Sequence, residues 1–459
     1  MAVEFTKDIF SEVKSHIEDN DYGRAADVLK HLHPYDIAEV IEDLEDMAIP
    51  MLFEFFDAEL SAEILAEMDN DDAMKVIKNM KPDLAYKKFF VQMDSDDAAD
   101  IINQLSVDDR KTFTDYLKVN LGEEALNIIS LLKYDEDVAG GLMAKELVRV
   151  NVNWDVKACI NEIRRQADDV ETIYAVYVVD DSGKLMGLVP LSKLIVSKST
   201  AKISEFYHDD LTSVEDTTPG DKVAEIMQKY DLVALPVVDF RGRLIGRITI
   251  DDVLDFIKEE ADEDYQLASG LSENVEYTDK VWVLSRARLP WLFLGLLGGI
   301  AGSEVIGLYE GDLKFHPEMA IFIPLIAAMG GNAGVQSSAI VVQSLAAKSI
   351  NEKGLFTKLG KEFRVSVLNG ILCSVAILAY GFVMIDSLNL SFTVSAALLT
   401  VIVMASVLGA FIPLVLSKLK VDPALATGPF ITTTNDLLGL GIYFLVGRLM
   451  YSIDFTAIF

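Results

Sequence analysis

The segment DPALATGPFITTTNDLLG gathers the side chains best suited to ion chemistry in an apolar setting. Gly428-Pro429 favours a bend. Thr432, Thr433, Thr434, Asn435 and Asp436 then open a long apolar run, and no Lys or Arg stands close to Asp436 in sequence. An ionised carboxylate is so costly in hydrocarbon that its default setting is a water-filled path, where its charge draws a hydrated cation. One carboxylate is too few ligands to strip Mg²⁺, which prefers six oxygens and gives up water reluctantly. Two copies of the chain on one axis would supply two such groups and hold a hydrated ion through its waters.

A second polar stretch interrupts another apolar run, PLIAAMGGNAGVQSSAIVVQS. Gly330, Gly331 and Gly334 let neighbouring helices approach closely. Asn332 and Gln336 are four apart and share a helical face. Hydrogen bonding between helices is the competing reading of that face. Ser337, Ser338, Gln343 and Ser344 extend its polar character.

The other concentration of ligands is acidic. Asp251, Asp252, Asp255, Glu259, Glu260, Asp262, Glu263 and Asp264 fall in one short stretch. Like charges at these spacings oppose a helix when no cation is present. A divalent ion shared between segments would relieve that opposition. No EF-hand loop occurs, so such a site must be assembled from separate elements. Acidic turns at 69–72 and at Asp94, Asp96 and Asp97 offer partners. Plain capping of helix starts is the alternative for them.

Composition shows where these groups are carried. The 459 residues have a formal charge of -32, with 40 Lys/Arg and 72 Asp/Glu. Twelve basic and ten acidic residues lie from Lys280 onward, which leaves 28 and 62 before it. The first part is strongly acidic and the last part nearly neutral and apolar. Such a surface repels nucleic acid and attracts cations. Cys159 and Cys373 fall in different parts, so neither a disulfide nor a Cys-x-x-Cys metal site is expected. The polar N-terminus has no signal-peptide core, which predicts a cytoplasmic first part.

Residues 1–140 read as short helices with apolar positions at three and four, an all-α stack of helical hairpins. Beyond them, YVVDDSGKLMGLVPLSKL returns as LPVVDFRGRLIGRITIDDVL. Asp180, Gly183 and Gly187 align with Asp239, Gly242 and Gly246. Each copy reads strand, turn, strand, helix. Asn274 to Arg286 reads as a helix leading to the membrane. Five apolar segments then begin near Pro290, Met319, Phe363, Ser391 and Phe430. Arg286 and Arg288, then Lys348, Lys353, Lys358, Lys361 and Arg364, then Lys418 and Lys420 mark alternate loops as cytoplasmic, whereas the loop at Asp386 lacks Lys and Arg. Five spans place the N-terminal part inside and the C-terminus outside.

The α/β repeat resembles a paired CBS (cystathionine-β-synthase) module. Its second copy carries the nucleotide-site pattern of that family, Gly246 and Thr249-Ile250-Asp251-Asp252. Thr249 and Asp252 are the candidates to hold a nucleotide such as ATP. The first copy departs from the pattern at Pro190-Leu191-Ser192-Lys193. Pairing without a nucleotide is the alternative.

The whole chain resembles the MgtE family of Mg²⁺ channels and transporters. GGNAGVQSS and DPALATGPFITTTND are the most specific marks. The resemblance implies a multidomain membrane protein: an acidic helical N domain (1–140), two CBS domains (141–204 and 205–264), a connecting helix (265–288) and a five-helix transmembrane domain (289–459). It implies a homodimer in the cell membrane, with gradient-driven Mg²⁺ uptake closed by cytoplasmic Mg²⁺ and no enzymatic activity. Asp436 is then the pore carboxylate, Asn332 a residue near the ion, and Asp422 the acid at the inner end of the pore. Regulatory Mg²⁺ falls to the Asp251–Glu263 set with Asp94 and Asp97. A broader divalent path and a membrane-anchored CBS sensor are the competing functions.

Overall fold

The computed structural model describes residues 2–451 except 43, 45–47, 69, 79, 81, 120–121, 167–169, 171, 276, 278–279, 347–354, 385–386 and 427. Asp69, Lys348, Lys353 and Asp386 lie outside the described residues. The chain divides into two units, Met1–Ile257 and Lys258–Phe459.

Apolar residues at three- and four-residue spacing give each early helix one sticky face. The first unit begins with α1 (Ala2–Glu18), α2 (Tyr22–Leu29), α3 (Pro34–Glu42), α4 (Ile49–Phe53) and α5 (Ala58–Glu67). It continues with α6 (Asn70–Lys78), α7 (Pro82–Ala85), a π-helical turn, α8 (Ser95–Gln104), α9 (Val107–Val119) and α10 (Glu123–Leu131). Their faces meet in one core around Phe53, Phe89 and Phe90, with edge-on ring pairs such as Phe53–Phe89.

Two three-stranded sheets follow. β1 (Val148–Asn151), β2 (Val176–Val179) and β3 (Leu185–Val189) lie in that order, and β4 (Val214–Glu215), β5 (Ala234–Val238) and β6 (Leu244–Thr249) repeat it. In each sheet the first pair is parallel and the second antiparallel. The helices α11 (Val156–Gln166), α12 (Leu191–Val196), α13 (Gly220–Tyr230) and α14 (Ile250–Ala268) accompany them. The aligned aspartates have one local job. Asp180 Oδ1 accepts the Ser182 and Lys184 amides, and Asp239 Oδ1 accepts those of Arg241 and Arg243. The glycines that follow, Gly183 and Gly242, have φ of 82° and 74°, a left-handed backbone that costs glycine little.

The second unit holds α15 (Val281–Leu308), α16 (Glu310–Phe315), α17 (Ile323–Ala346), α18 (Leu355–Met384), α19 (Leu388–Lys418) and α20 (Gly428–Met450). Among the described residues, five helices are long and apolar enough to cross a membrane. α17, α18 and α20 pack along α19, whose residues form most of the core with Tyr443 and Phe444. The segment leading to the membrane departs from the expected helix at Asn274. Ordered structure there is held by side chains instead: Gln266 accepts the Val275 amide at 2.9 Å, and Ser272 donates to the Ala287 carbonyl at 3.0 Å. Helix begins only at Val281 and runs unbroken through Pro290 into the first span.

Gly409 of α19 is a point of close helix approach. A Cβ there would stand 2.2 Å from the Gly334 carbonyl oxygen of α17, which is backbone and cannot swing aside. Gly409→Leu is therefore expected to lower the stability of the membrane unit by about 3 kcal/mol or more. Thermal unfolding of the detergent-solubilised protein checks it, with Gly441→Ala, where a Cβ meets nothing within 4 Å, as the neutral control.

Candidate metal centres and ion path

The N-terminus of α8 sets up the first site. Asp94 occupies the cap position, yet its side chain makes no cap hydrogen bond. The carboxylate of Glu146, 51 residues on, does that work: Glu146 Oε2 accepts the Ser95 amide at 3.1 Å and the Ser95 hydroxyl at 2.8 Å. The Lys145 amide donates to Ser95 Oγ at 2.9 Å. A helix start in the all-α part is thus satisfied by the strand-bearing part, which fixes the two together. The Asp94 carboxylate, partly exposed, stands beside Arg247 instead. Oxygens of Asp94, Asp96 and Glu146 lie within 4.8 Å of one another.

Asp97 and Asp252 complete the cluster. Burial, then neighbouring carboxylates that include Asp252, push Asp96 and Asp97 well above the ordinary carboxylate range. Burial also raises Asp252. Two cations stand beside these five acids. Arg247 is buried, with an Nη atom 3.7 Å from Asp94 and another donating to the Thr172 carbonyl at 3.0 Å. Lys145 is pushed down to about 8 by burial and donates to the Ile245 carbonyl. The acids outnumber the cations, and hard oxygens at these spacings suit Mg²⁺ or Ca²⁺.

Thr249 and Asp252 are occupied with each other. Asp252 accepts the Thr249 amide at 2.9 Å and its hydroxyl as well. The Asp252 carboxylate thus reaches back to the residue before α14, as in one half of a capping box, and it stands near the α8 acids. Asp251 and Asp255 are exposed on the same helix. So are Glu259, Glu260, Asp262 and Glu263 farther along it.

Asp264, one residue beyond Glu263, is the half-buried member. Its carboxyl is raised by burial, by Asp422 and by Glu263. Asp422 itself caps the short turn after α19 by accepting the Ala424 amide at 2.8 Å. Nearby, Gly428 adopts φ 50°, and a Cβ on it would stand 2.5 Å from the Ala268 carbonyl. The end of α14 therefore abuts the start of α20, with two acids at the junction.

Asp436 lies half-buried on α20. A Cβ added at Gly331 would stand 3.3 Å from Asp436 Oδ1 and 3.2 Å from the Thr432 methyl. Small residues on α17 thus leave room at the carboxylate. Asn332, one position on, is exposed and lines a groove against α18. Asn435 is 1% exposed, and neither atom of its amide has a hydrogen-bond partner among the described residues. A dry amide costs on the order of 1–3 kcal/mol, so water reaching it from the Asp436 side would stabilise it.

Of the residues singled out from sequence, Asp94, Asp97 and Asp252 fall in the α8 cluster and Asp422 stands near Asp264, whereas Glu146, a lone acid outside any acidic run, was not among them. Asp96 and Asp264 were legible only as cluster members.

An all-α domain, a CBS pair and five apolar helices among the described residues define a multi-pass membrane protein. Comparison with known proteins is consistent throughout. Residues 32–137 match the MgtE intracellular N domain, 137–197 and 203–259 match CBS domains, and 323–446 match the MgtE divalent cation transporter domain. The chain is 30% identical to the magnesium transporter MgtE of Bacillus subtilis (strain 168), over 91% of this chain and 92% of that protein. It is 35% identical to the magnesium transporter MgtE of Thermus thermophilus, over 70% and 72%. The crystal structure of the cytosolic domain of the Mg²⁺ channel MgtE in complex with ATP covers 54% of this chain and 99% of that one, at TM-score 0.50 and 29% identity. The chain belongs to the MgtE family of magnesium transporters.

Proposed function

We propose that this chain is a channel-type Mg²⁺ transporter whose path runs past Asp436 and whose cytoplasmic carboxylates close it when Mg²⁺ is plentiful. The observation that carries the reading is the α8 cluster, where Asp94, Asp96 and Glu146 stand within 4.8 Å on two differently folded parts. Without a divalent ion their charges oppose each other. With one bound, the parts are held together.

The path needs only attraction and water. Asp436 supplies charge beside Gly331 and Thr432, and a hydrated ion is held through its waters. A homodimer would place two Asp436 groups on one axis, with the C-terminus outside. Asn332 would then act through the solvated face of α17. Regulation follows from linkage: ions bound more tightly by the closed state favour it. Asp94, Asp96, Asp97, Glu146 and Asp252 form one regulatory set. Asp264 with Asp422 forms another at the end of α14, where Glu259, Glu260, Asp262 and Glu263 add exposed acids. Asp251 and Asp255 lie on the free face of that helix. ATP, if bound by the CBS pair near Thr249, would be a regulator, since movement of the ion is downhill.

Uptake of Mg²⁺ into liposomes holding the full chain tests this. Flux is expected to follow an imposed membrane potential with no nucleotide present. Flux that requires ATP, or none at all from correctly inserted protein, would overturn the channel reading. Co²⁺ or Mn²⁺ passing as fast as Mg²⁺ would favour the broader divalent path.

The junction at Asp264 gives a further expectation. Asp264→Asn removes one of two facing acids, and the concentration of cytoplasmic-face Mg²⁺ needed for half closure is expected to rise several-fold. A flux titration in the same liposomes reads it.

A further inference from the structure

Three parts of the chain meet at the guanidinium of Arg247. Its backbone, on β6, exchanges hydrogen bonds of 2.9 and 2.8 Å with Ala144, two residues before Glu146. Its side chain is 5% exposed and crosses to the first CBS domain. There one Nη donates to the Thr172 carbonyl at 3.0 Å, and the guanidinium lies over the Tyr174 ring, 5.6 Å from its centre. The other Nη stands 3.7 Å from Asp94 of the all-α part. That is too long for a hydrogen bond, so acid and guanidinium attract without being locked together. The Nε has no hydrogen-bond partner among the described residues.

A structural strut is the plain use of such an arginine. The acid it faces, however, is shared. Asp94 is one of the three residues whose carboxylate oxygens lie within 4.8 Å of one another, with Asp96 and Glu146. A divalent ion taken by that set would stand close to a guanidinium that never gives up its charge. Like charges repel strongly at such separations where water is scarce. Lys145 differs, because its amine, pushed down to about 8 by burial, can shed its proton. The charge of Arg247 reaches Asp252 as well, where it opposes the upward push of burial.

We propose that Arg247 is a tethered cation that competes with Mg²⁺ for the α8 carboxylates and so sets the concentration at which they fill. The inference rests on the reading of that cluster as a Mg²⁺ site. Affinity at oxygen sites is tuned by their net charge. Five neighbouring acids with no opposing cation would stay filled when Mg²⁺ is scarce and report nothing of a rise. The arginine neutralises part of the cluster when the ion is scarce and yields when it is plentiful. Thr172 and Tyr174 keep it in place to return.

The full-length protein in detergent is heated at about pH 8, where protons compete less for the acids, and the thermal midpoint of the cytoplasmic part is followed as Mg²⁺ is titrated. The reading is the Mg²⁺ concentration that gives half of the rise. Arg247→Gln is expected to lower it on the order of 10-fold, the opposite sign from removing an acid of the set. Arg247→Lys keeps the charge and is expected to stay within about 2-fold of the wild type. Arg247→Gln is also made in an Asp94→Asn background, which guards against misfolding from an uncompensated acid. There too it is expected to lower the concentration, relative to Asp94→Asn alone. A strut gives the other result: Mg²⁺ binding unchanged or weakened by Arg247→Gln in either background, which would overturn the proposal. A fall of equal size in Arg247→Lys would overturn it as well. No Mg²⁺-dependent rise in the wild type or any variant would overturn the cluster as a Mg²⁺ site, and the proposal with it.

Discussion

Asp436→Asn is expected to cut Mg²⁺ flux by about two orders of magnitude or more while the protein still folds and inserts. The substitution keeps size and hydrogen-bonding capacity and removes only charge. At a separation of about 5 Å and an effective dielectric of about 20, a carboxylate attracts a divalent ion by roughly 6 kcal/mol. Water between them and competing ions leave a fraction of this, and half of it already corresponds to a factor of more than about 100. Gly331 leaves space beside the carboxylate, since a Cβ there would come within 3.3 Å of it. Gly331→Val is expected to reduce flux as well, by filling that space. Flux retained by Asp436→Asn at the wild-type level would remove Asp436 from the path.

The second large effect is expected at Asp97. Burial and neighbouring charges raise Asp96 and Asp97 well above the usual carboxylate range. The folded state then holds protons that the unfolded chain releases near pH 3.9. For these two groups, stability is greatest below that value and falls as pH rises through the folded-state value. In chelator the cluster therefore loses stability as pH rises from the acid side. Asp97→Asn is expected to raise the thermal midpoint of the cytoplasmic part by a few degrees in chelator near pH 7.5. It should also flatten the fall in stability on the neutral side. With Mg²⁺ the order reverses, because the wild type gains a bound ion and the variant loses a ligand. Midpoints measured with and without Mg²⁺ at two pH values check both signs. A variant that gains as much from Mg²⁺ as the wild type would exclude Asp97 from the site.

Much of this architecture was readable because its signals are periodic or repeated. Apolar positions at three and four predicted the early helices, and the repeat predicted two copies of strand, turn, strand and helix, without the first strand of either sheet, β1 or β4. Uninterrupted apolar length predicted the spans. The site was readable where chemistry was conspicuous: an unpaired acid in an apolar run, or acids crowded at a turn. Three things were beyond it. Glu146 stands alone in sequence and joins the cluster only because the Ser95 amide needs an acceptor. The pairing of Asp264 with Asp422 depends on how a helix end meets the start of α20, which no local pattern encodes. Asn332 and Gly331 are neighbours in sequence, but one residue turns a helix by about 100°, and it is the glycine that meets Asp436. The pattern Thr249-Ile250-Asp251-Asp252 has two local meanings as well. The hydrogen bonds make it a helix cap whose carboxylate, Asp252, stands near the α8 acids.

The central claim is that cytoplasmic Mg²⁺ closes a Mg²⁺ path by binding these carboxylates. The most direct measurement is Mg²⁺ flux through the full chain in oriented liposomes as Mg²⁺ on the cytoplasmic face is titrated, for the wild type and for Asp252→Asn. Wild-type flux is expected to fall steeply as that face fills. Asp252→Asn is expected to need several-fold more Mg²⁺ for the same closure, at unchanged maximal flux. Wild-type flux indifferent to cytoplasmic Mg²⁺, or identical titrations for the two proteins, would contradict the claim.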